Sequence, residues 1–375
     1  MKLRFVAGIA LAAVALTVNP AASRELVYST MLSPKHPTNR LGVEAFFERV
    51  TKATDGSLTV KLFSGGTLAS GKTTLNAIRS GTADMGLIID VYTPSNLPVS
   101  ALLSDMAVWG EDPRVMAAAA NEMMMVDCEE CKEDFLEEKV LPLAIYSTSP
   151  YYLLCRDVEI VSADDWKGKK LRGTGAMGVL AANMGATPVN ITSAEAYEAM
   201  QRGQVDCIML PTPLLKSYSL WDVVTNVSNF PLGTYHGNNF LNINTKVWKK
   251  LSKEEKRAIG DNIAHAVTDM ARAYFEDDVN VRATAESKGI KWIEVDDSFS
   301  AAVQVQREND VQRVTELAKK RGVENPEPIV EMFQEKIAKW KKIVDDIGTG
   351  EWTDAEWAKY QEALHAEVFD KVSYE

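Results

Sequence analysis

The sequence predicts an α/β protein built from two sheet-containing units. Residues 25–89 and 166–211 each alternate strand-like and helix-like segments in the order β-α-β-α-β. Such alternation implies parallel strands with ligands gathered at their carboxyl ends. A length of 375 residues suits two domains better than one.

The second stretch is the more informative. Gly168 to Leu171 sets up a short strand, and Arg172 stands at its end. Gly173 and Gly175 follow, so the backbone can turn tightly and approach a ligand. Helix signals run from Ala176 to Asn183 and stop at Gly185. After a strand-like Thr187–Ile191, Thr192 or Ser193 caps a helix that Glu195 helps start and Gly203 ends. Val205–Leu210 is a buried strand closed by Pro211. By spacing alone, Arg172 is equally well an ordinary arginine at a strand end.

In the first stretch, strands are expected at Glu25–Thr30, Leu58–Phe63 and Ala83–Ile89. Between them lie helices over 39–53, with Leu41, Phe46, Phe47 and Val50 inward, and over 71–79. Ala117–Met125 is helical, its methionines core filler. Tyr151–Cys155, Val223–Phe230, Phe240–Asn244 and Ile290–Val295 are strand-like. Ser252 and Glu255 form a capping box that opens a proline-free helix over 253–288. At about 1.5 Å per residue it reaches roughly 50 Å, more than one small domain. Further helices are expected over 298–321, 328–347 and 352–372, with Trp352, Trp357 and Tyr360 packing along the last.

The first 23 residues read as a secretory signal peptide: Lys2 and Arg4, an apolar run from Phe5 to Val18, then Ala21-Ala22-Ser23. Removing Lys2 and Arg4 takes the formal charge from −11 to −13, which argues against nucleic acid or an anionic membrane as partner. A single buried arginine can still dominate one site. Export permits disulfides, and Cys128, Cys131, Cys155 and Cys207 allow three pairings. Cys128-Glu-Glu-Cys131 lacks the βαβ surroundings of a redox centre, which favours a local disulfide or two thiols. His36, His236, His265 and His365 are single and far apart, so no metal site is expected. Gly173-Thr174-Gly175 is too short for a phosphate loop and lacks its lysine, and no Ser-His-Asp pattern is present. No cofactor is expected.

Three groups of residues resemble the solute-binding proteins of tripartite ATP-independent periplasmic (TRAP) transporters, of the C4-dicarboxylate-binding type. They are Trp166-Lys-Gly-Lys-Lys-Leu-Arg172, Met184-Gly-Ala-Thr-Pro188 and Glu195-Ala-Tyr-Glu-Ala-Met-Gln-Arg-Gly-Gln-Val-Asp206. Ile78-Arg-Ser-Gly-Thr-Ala-Asp-Met85, with Leu62-Phe63 and Thr67-Leu68, extends the resemblance over most of the chain. It implies a two-domain periplasmic-binding-protein fold with crossing strands and a long helix over both domains. The implied division is 24–148 plus 240–280 for domain I and 149–239 plus 290–330 for domain II. The long helix spans 253–288, and 331–375 forms C-terminal helices.

The same resemblance implies that Arg172 holds the carboxylate of an organic acid delivered to integral membrane subunits from the periplasm. Tyr152, near another contact of the family, and Leu210, where many relatives place asparagine, make this pocket less polar. They favour a monocarboxylate with an apolar or aromatic body. Thr174, Tyr235, His236 and Asn239 are candidates from the loops around the crossings, and Thr30, Asp90 and Tyr92 from strand ends of the first domain. If Tyr152 and Leu210 share a pocket, Cys155 and Cys207 lie on neighbouring strands and can pair, leaving Cys128 with Cys131. Some relatives dimerise through C-terminal helices, so monomer and homodimer both stay open. An exported enzyme or a ligand sensor on the same scaffold is the alternative.

Overall fold

The computed structural model describes residues 23–374. The signal-peptide expectation falls on residues 1–22, outside the described ones. The strands, in chain order, are β1 Arg24–Ser29, β2 Leu58–Phe63, β3 Met85–Ile89, β4 Val140–Tyr146, β5 Tyr151–Cys155, β6 Lys170–Arg172, β7 Thr187–Val189, β8 Cys207–Pro211, β9 Asn226–Ser228, β10 Asn238–Asn244 and β11 Lys291–Ile293. They form two sheets, ordered β2-β1-β3-β10-β4 and β11-β9-β5-β8-β6-β7. Each sheet carries helices and forms one lobe.

Within each β-α-β-α-β stretch the strands pair in parallel, β1 with β2 and β3, and β6 with β7 and β8. The sheets as wholes are mixed. β5 runs antiparallel to β8 and β9, and β10 runs antiparallel to β3 and β4. The reason is connectivity. The chain leaves the first sheet after β4 and enters the second as β5, then returns after β9 as β10. A strand arriving from the other lobe is not the product of a right-handed helical crossover, so it is free to run against its neighbours.

The long helix, Lys253–Ala285, grips both lobes. Arg49 pairs with Asp269 at 3.0 Å on the first, and Lys216 with Asp277 at 3.3 Å on the second. Arg282 lies between the rings of Tyr152 and Trp292, 4.4 and 4.5 Å from their centroids. Gly260 is a packing seat: a Cβ there would lie 2.5 Å from the Tyr374 ring.

Two local expectations are corrected. Leu41 is 38% exposed, because residues 38–44 wind as a wider π-helical turn and shift the inward face before the α-helix starts at Ala45. The helix expected over 298–321 is two, Asp297–Glu308 and Asp310–Lys320, broken at Asn309. The first packs Phe299 on Trp166 and Phe230 in the second lobe. The second reaches the first lobe, where Arg321 pairs with Asp105 at 2.5 Å.

The C-terminal helices Pro326–Ile347 and Asp354–Glu367 lie on the first lobe. The buried Glu122 carboxylate accepts from Lys336, Lys339 and the Trp340 indole at 2.7–3.0 Å. Arg114 sits between Phe275 and Trp352, and Trp352, Trp357 and Tyr360 pack edge-on together. Disulfides join Cys128 to Cys131 and Cys155 to Cys207. The second pair stands directly opposed across β5 and β8, with Cα atoms 4.0 Å apart.

Candidate ligand-binding site

A cleft with about 420 Å³ of space between atoms, part of it open to solvent, lies where the carboxyl ends of β3 and β6 meet the crossing segments. Arg172, the last residue of β6, is 2% exposed in its wall. The guanidinium Nε donates to the Ile191 carbonyl at 3.0 Å, Nη1 to the Met209 carbonyl at 3.2 Å, and Nη2 to the Tyr92 hydroxyl at 3.3 Å. A guanidinium has five N–H groups in a planar fork. These three bonds leave one on each terminal nitrogen, the pair a carboxylate accepts side by side. All three acceptors are neutral. Among the described residues, Arg172 has no carboxylate within ion-pair distance; the Glu195 carboxylate, held in its capping box, feels the guanidinium's charge from further away, so the cation faces the cavity only partly compensated.

The rest of the lining is aromatic and hydroxylic. Tyr92, Tyr146 and Tyr235 come from the first lobe and its crossing, Tyr151 from the second, and Tyr274 from the long helix. Tyr146 and Tyr274 stack with centroids 5.4 Å apart. Burial pushes the phenols of Tyr146, Tyr151 and Tyr274 above the usual tyrosine range, so they remain neutral hydroxyls. His36 is the other titratable base in the lining, and burial pushes its pKa down to about 3. Its Nδ1 accepts from the Thr38 N–H at 3.2 Å, which assigns the proton to Nε2, 3.3 Å from the Tyr274 hydroxyl. At neutral pH, then, Arg172 is the one cation of the lining.

Five residues expected from sequence reach the cavity: Arg172, Thr174, Leu210, Tyr92 and Tyr235. Five do not. Tyr152 is turned to Trp292, ring centroids 5.7 Å apart, and its strand neighbour Tyr151 lines the cavity, as alternation in a strand requires. Thr30 is fully buried and its hydroxyl accepts from the Leu32 N–H at 3.1 Å. His236 is held on the Leu103 carbonyl at 2.7 Å beside the Phe333 ring, and burial lowers its pKa to about 4.

Asp90 and Asn239 belong to a buried network behind the wall. The Asp90 carboxyl accepts from Asn239 Nδ2 at 2.6 Å, Ser100 at 2.8 Å and Ser104 at 3.3 Å. Burial outweighs those bonds and pushes its pKa up to about 8. Sequence reasoning missed Tyr146, Tyr151, His36, Ser193, Asn238 and Tyr274. Tyr151 follows from choosing the other face of β5, and His36 from the loop after a strand end. Tyr274 sits mid-helix, where the sequence carries no signal.

Two lobes, two strand crossings, a helix laid over both and a buried unpaired arginine between them define a receptor that encloses a small organic anion. The family model of DctP, bacterial extracellular solute-binding protein family 7, matches residues 28–317, and the chain belongs to that family. A solute-binding protein of Roseobacter denitrificans is 27% identical over 304 residues, covering 78% of this chain and 90% of that one. A TRAP periplasmic solute-binding protein of Bordetella bronchiseptica, solved with (R)- and (S)-mandelate, superposes with a TM-score of 0.73 at 24% identity, over 85% of this chain and 99% of that one. One from Rhodoferax ferrireducens with copurified benzoate gives 0.75 at 18% identity, over 86% and 99%. The chain is thus a TRAP solute-binding protein of two-domain α/β fold. Among the described residues no helix is long and apolar enough to cross a membrane.

Proposed function

We propose that the protein captures an organic monocarboxylate with an aromatic or apolar body in the periplasm and hands it to the integral membrane subunits of its transporter, without transforming it. The observation that carries this reading is Arg172: a buried guanidinium with one N–H free on each terminal nitrogen, in a cavity with no second cation. One carboxylate fits that fork. A second would be buried without a charged partner, which costs several kcal/mol. Tyrosine rings and Leu210, Pro211 and Leu214 supply contacts for an apolar or aromatic body. The acids held by similar structures support the reading, since mandelate, benzoate and pyroglutamate each have one carboxyl group. The lobes that close on the ligand are residues 24–148 with 240–280 and residues 149–239 with 290–308, while Asp310–Lys320, expected with the second lobe, packs on the first.

Calorimetry with benzoate, 3-hydroxybenzoate, mandelate, succinate and malate tests this. We expect binding of an aromatic monocarboxylate, little or none of the dicarboxylates, and loss of a few hundredfold or more in Arg172→Ala, equivalent to about 3–5 kcal/mol. A loss under threefold, or binding of succinate and malate alone, refutes the reading.

A further inference from the structure

We propose that the Tyr92 hydroxyl is a clasp between the closed lobes, a positioning residue for Arg172 that governs how long a carboxylate stays rather than how fast it arrives. The inference rests on Arg172 as the carboxylate anchor. Tyr92 ends the turn Asp90–Tyr92 that follows β3, so it belongs to the first lobe. Its ring is seated there: a Cβ on Gly71 would meet the ring at 3.0 Å and the Met31 sulfur at 2.2 Å. Its oxygen accepts from two donors of the other lobe, Arg172 Nη2 at 3.3 Å and the Ser193 N–H at 3.1 Å.

The second donor is informative. Ser193 opens the helical segment 193–201, whose first N–H groups have no partner within the helix. The capping box answers its own pair: the Glu195 carboxylate accepts from the Thr192 N–H at 2.8 Å, and Thr192 caps the N–H of Glu195. The Ser193 N–H is given to Tyr92 instead. Both bonds cross the cleft, so both exist only when the lobes are together, and opening returns both donors to water.

The phenol proton is used in neither bond, and Tyr92 lines the cavity. That proton is placed to be donated to the carboxylate oxygen held on Arg172 Nη2. Tyr92 therefore fixes the fork, ties the lobes and touches the anion through one oxygen. In the open receptor none of these contacts is made across the cleft, and arrival of the acid is left to Arg172 and diffusion.

Tyr92→Phe keeps the ring and removes the hydroxyl. Two measurements on the full chain decide the proposal. The first is stopped-flow binding of 3-hydroxybenzoate, benzoate or mandelate, using whichever raises the melting temperature most. Dissociation is expected to quicken about tenfold with association unchanged within twofold. The second is read with the same acid at saturation, which holds the lobes together: amide hydrogen exchange at Ser193 is expected to be several-fold faster in the variant than in the wild type, with the melting temperature preserved. An unchanged dissociation rate, or equal slowing of association, overturns the clasp, as does equal exchange at Ser193 in the two proteins. The outcome is separable from the anchor reading. If Arg172→Ala binds as the wild type does, the anchor fails whatever Tyr92→Phe shows. If Arg172→Ala abolishes binding while Tyr92→Phe changes neither rate nor exchange, the anchor stands and the clasp falls.

Discussion

Asp90→Asn should stabilise this protein at pH 8 and leave it nearly unchanged at pH 4. The carboxyl is 2% exposed, and burial raises its pKa from the ordinary 3.8 to about 8 against the pull of Ser100, Ser104 and Asn239. Below about pH 4 the folded and unfolded chains both hold the proton. Between about 4 and 8 only the folded chain holds it, so raising the pH favours unfolding. Above 8 both have lost it and the full penalty is in place. At about 1.4 kcal/mol per pH unit, about four units give an upper bound near 6 kcal/mol for wild type relative to its own stability at low pH. Asparagine has similar shape, keeps an acceptor for Asn239 Nδ2, and offers a donor to the two serine hydroxyls. Urea melts of both proteins at pH 4, 6 and 8 read the difference directly. Asp134, whose pKa burial raises to about 6, contributes with the same sign, and the comparison between proteins subtracts it. A stability difference that stays constant from pH 4 to 8 would show that Asp90 is ionised in the folded protein and that the argument from burial is wrong.

Two further outcomes follow from the cross-links and the cleft. Replacing Cys155 and Cys207 by serine opens a bridge between residues 52 apart and should remove about 4 kcal/mol, against about 2 kcal/mol for Cys128 and Cys131, three apart, by loop entropy; denaturant melts that give the reverse order would contradict it. Gly175→Ala places a Cβ 2.8 Å from Val91 across the cleft at φ +53°, so affinity for the bound acid should fall about tenfold, and calorimetry showing a change under twofold would mean that the lobes do not approach there.

Much of the fold is written locally in this chain. The two β-α-β-α-β stretches, the capping box at Ser252 and the long proline-free helix all depend on neighbours within a turn or a strand, and they appear where the pattern places them. Arg172 is legible for the same reason, as a charged residue at a strand end before Gly173. What escaped is set by contacts distant in sequence. The Asn309 break follows from helix Asp297–Glu308 belonging to one lobe and Asp310–Lys320 to the other. Tyr152 and Tyr151 are equivalent until β5 is placed between β8 and β9. Asp90 and Asn239 are 149 residues apart, and nothing near either one announces that they satisfy each other rather than a ligand.

The aromatic character of the cavity and its one cation act together. A guanidinium closed off from water, hydrogen-bonded only to the carbonyls of Ile191 and Met209 and the Tyr92 hydroxyl and with the Glu195 carboxylate beyond ion-pair distance, is incompletely compensated. Neutral acceptors satisfy hydrogen bonds but not charge. The lobes therefore close more favourably around an anion than around water, and the discrimination between anion and neutral solute arises from the same interaction that drives closure. The tyrosines strengthen that coupling. They come from both lobes and from the long helix, so a flat apolar body between them is buried only when all three are assembled. His36 would spoil the scheme if it carried a proton, because a second cation would compensate a dicarboxylate. Burial and the Thr38 N–H at Nδ1 keep the ring neutral. The proposed preference for one carboxylate thus depends on a histidine that holds no charge as much as on the arginine that does.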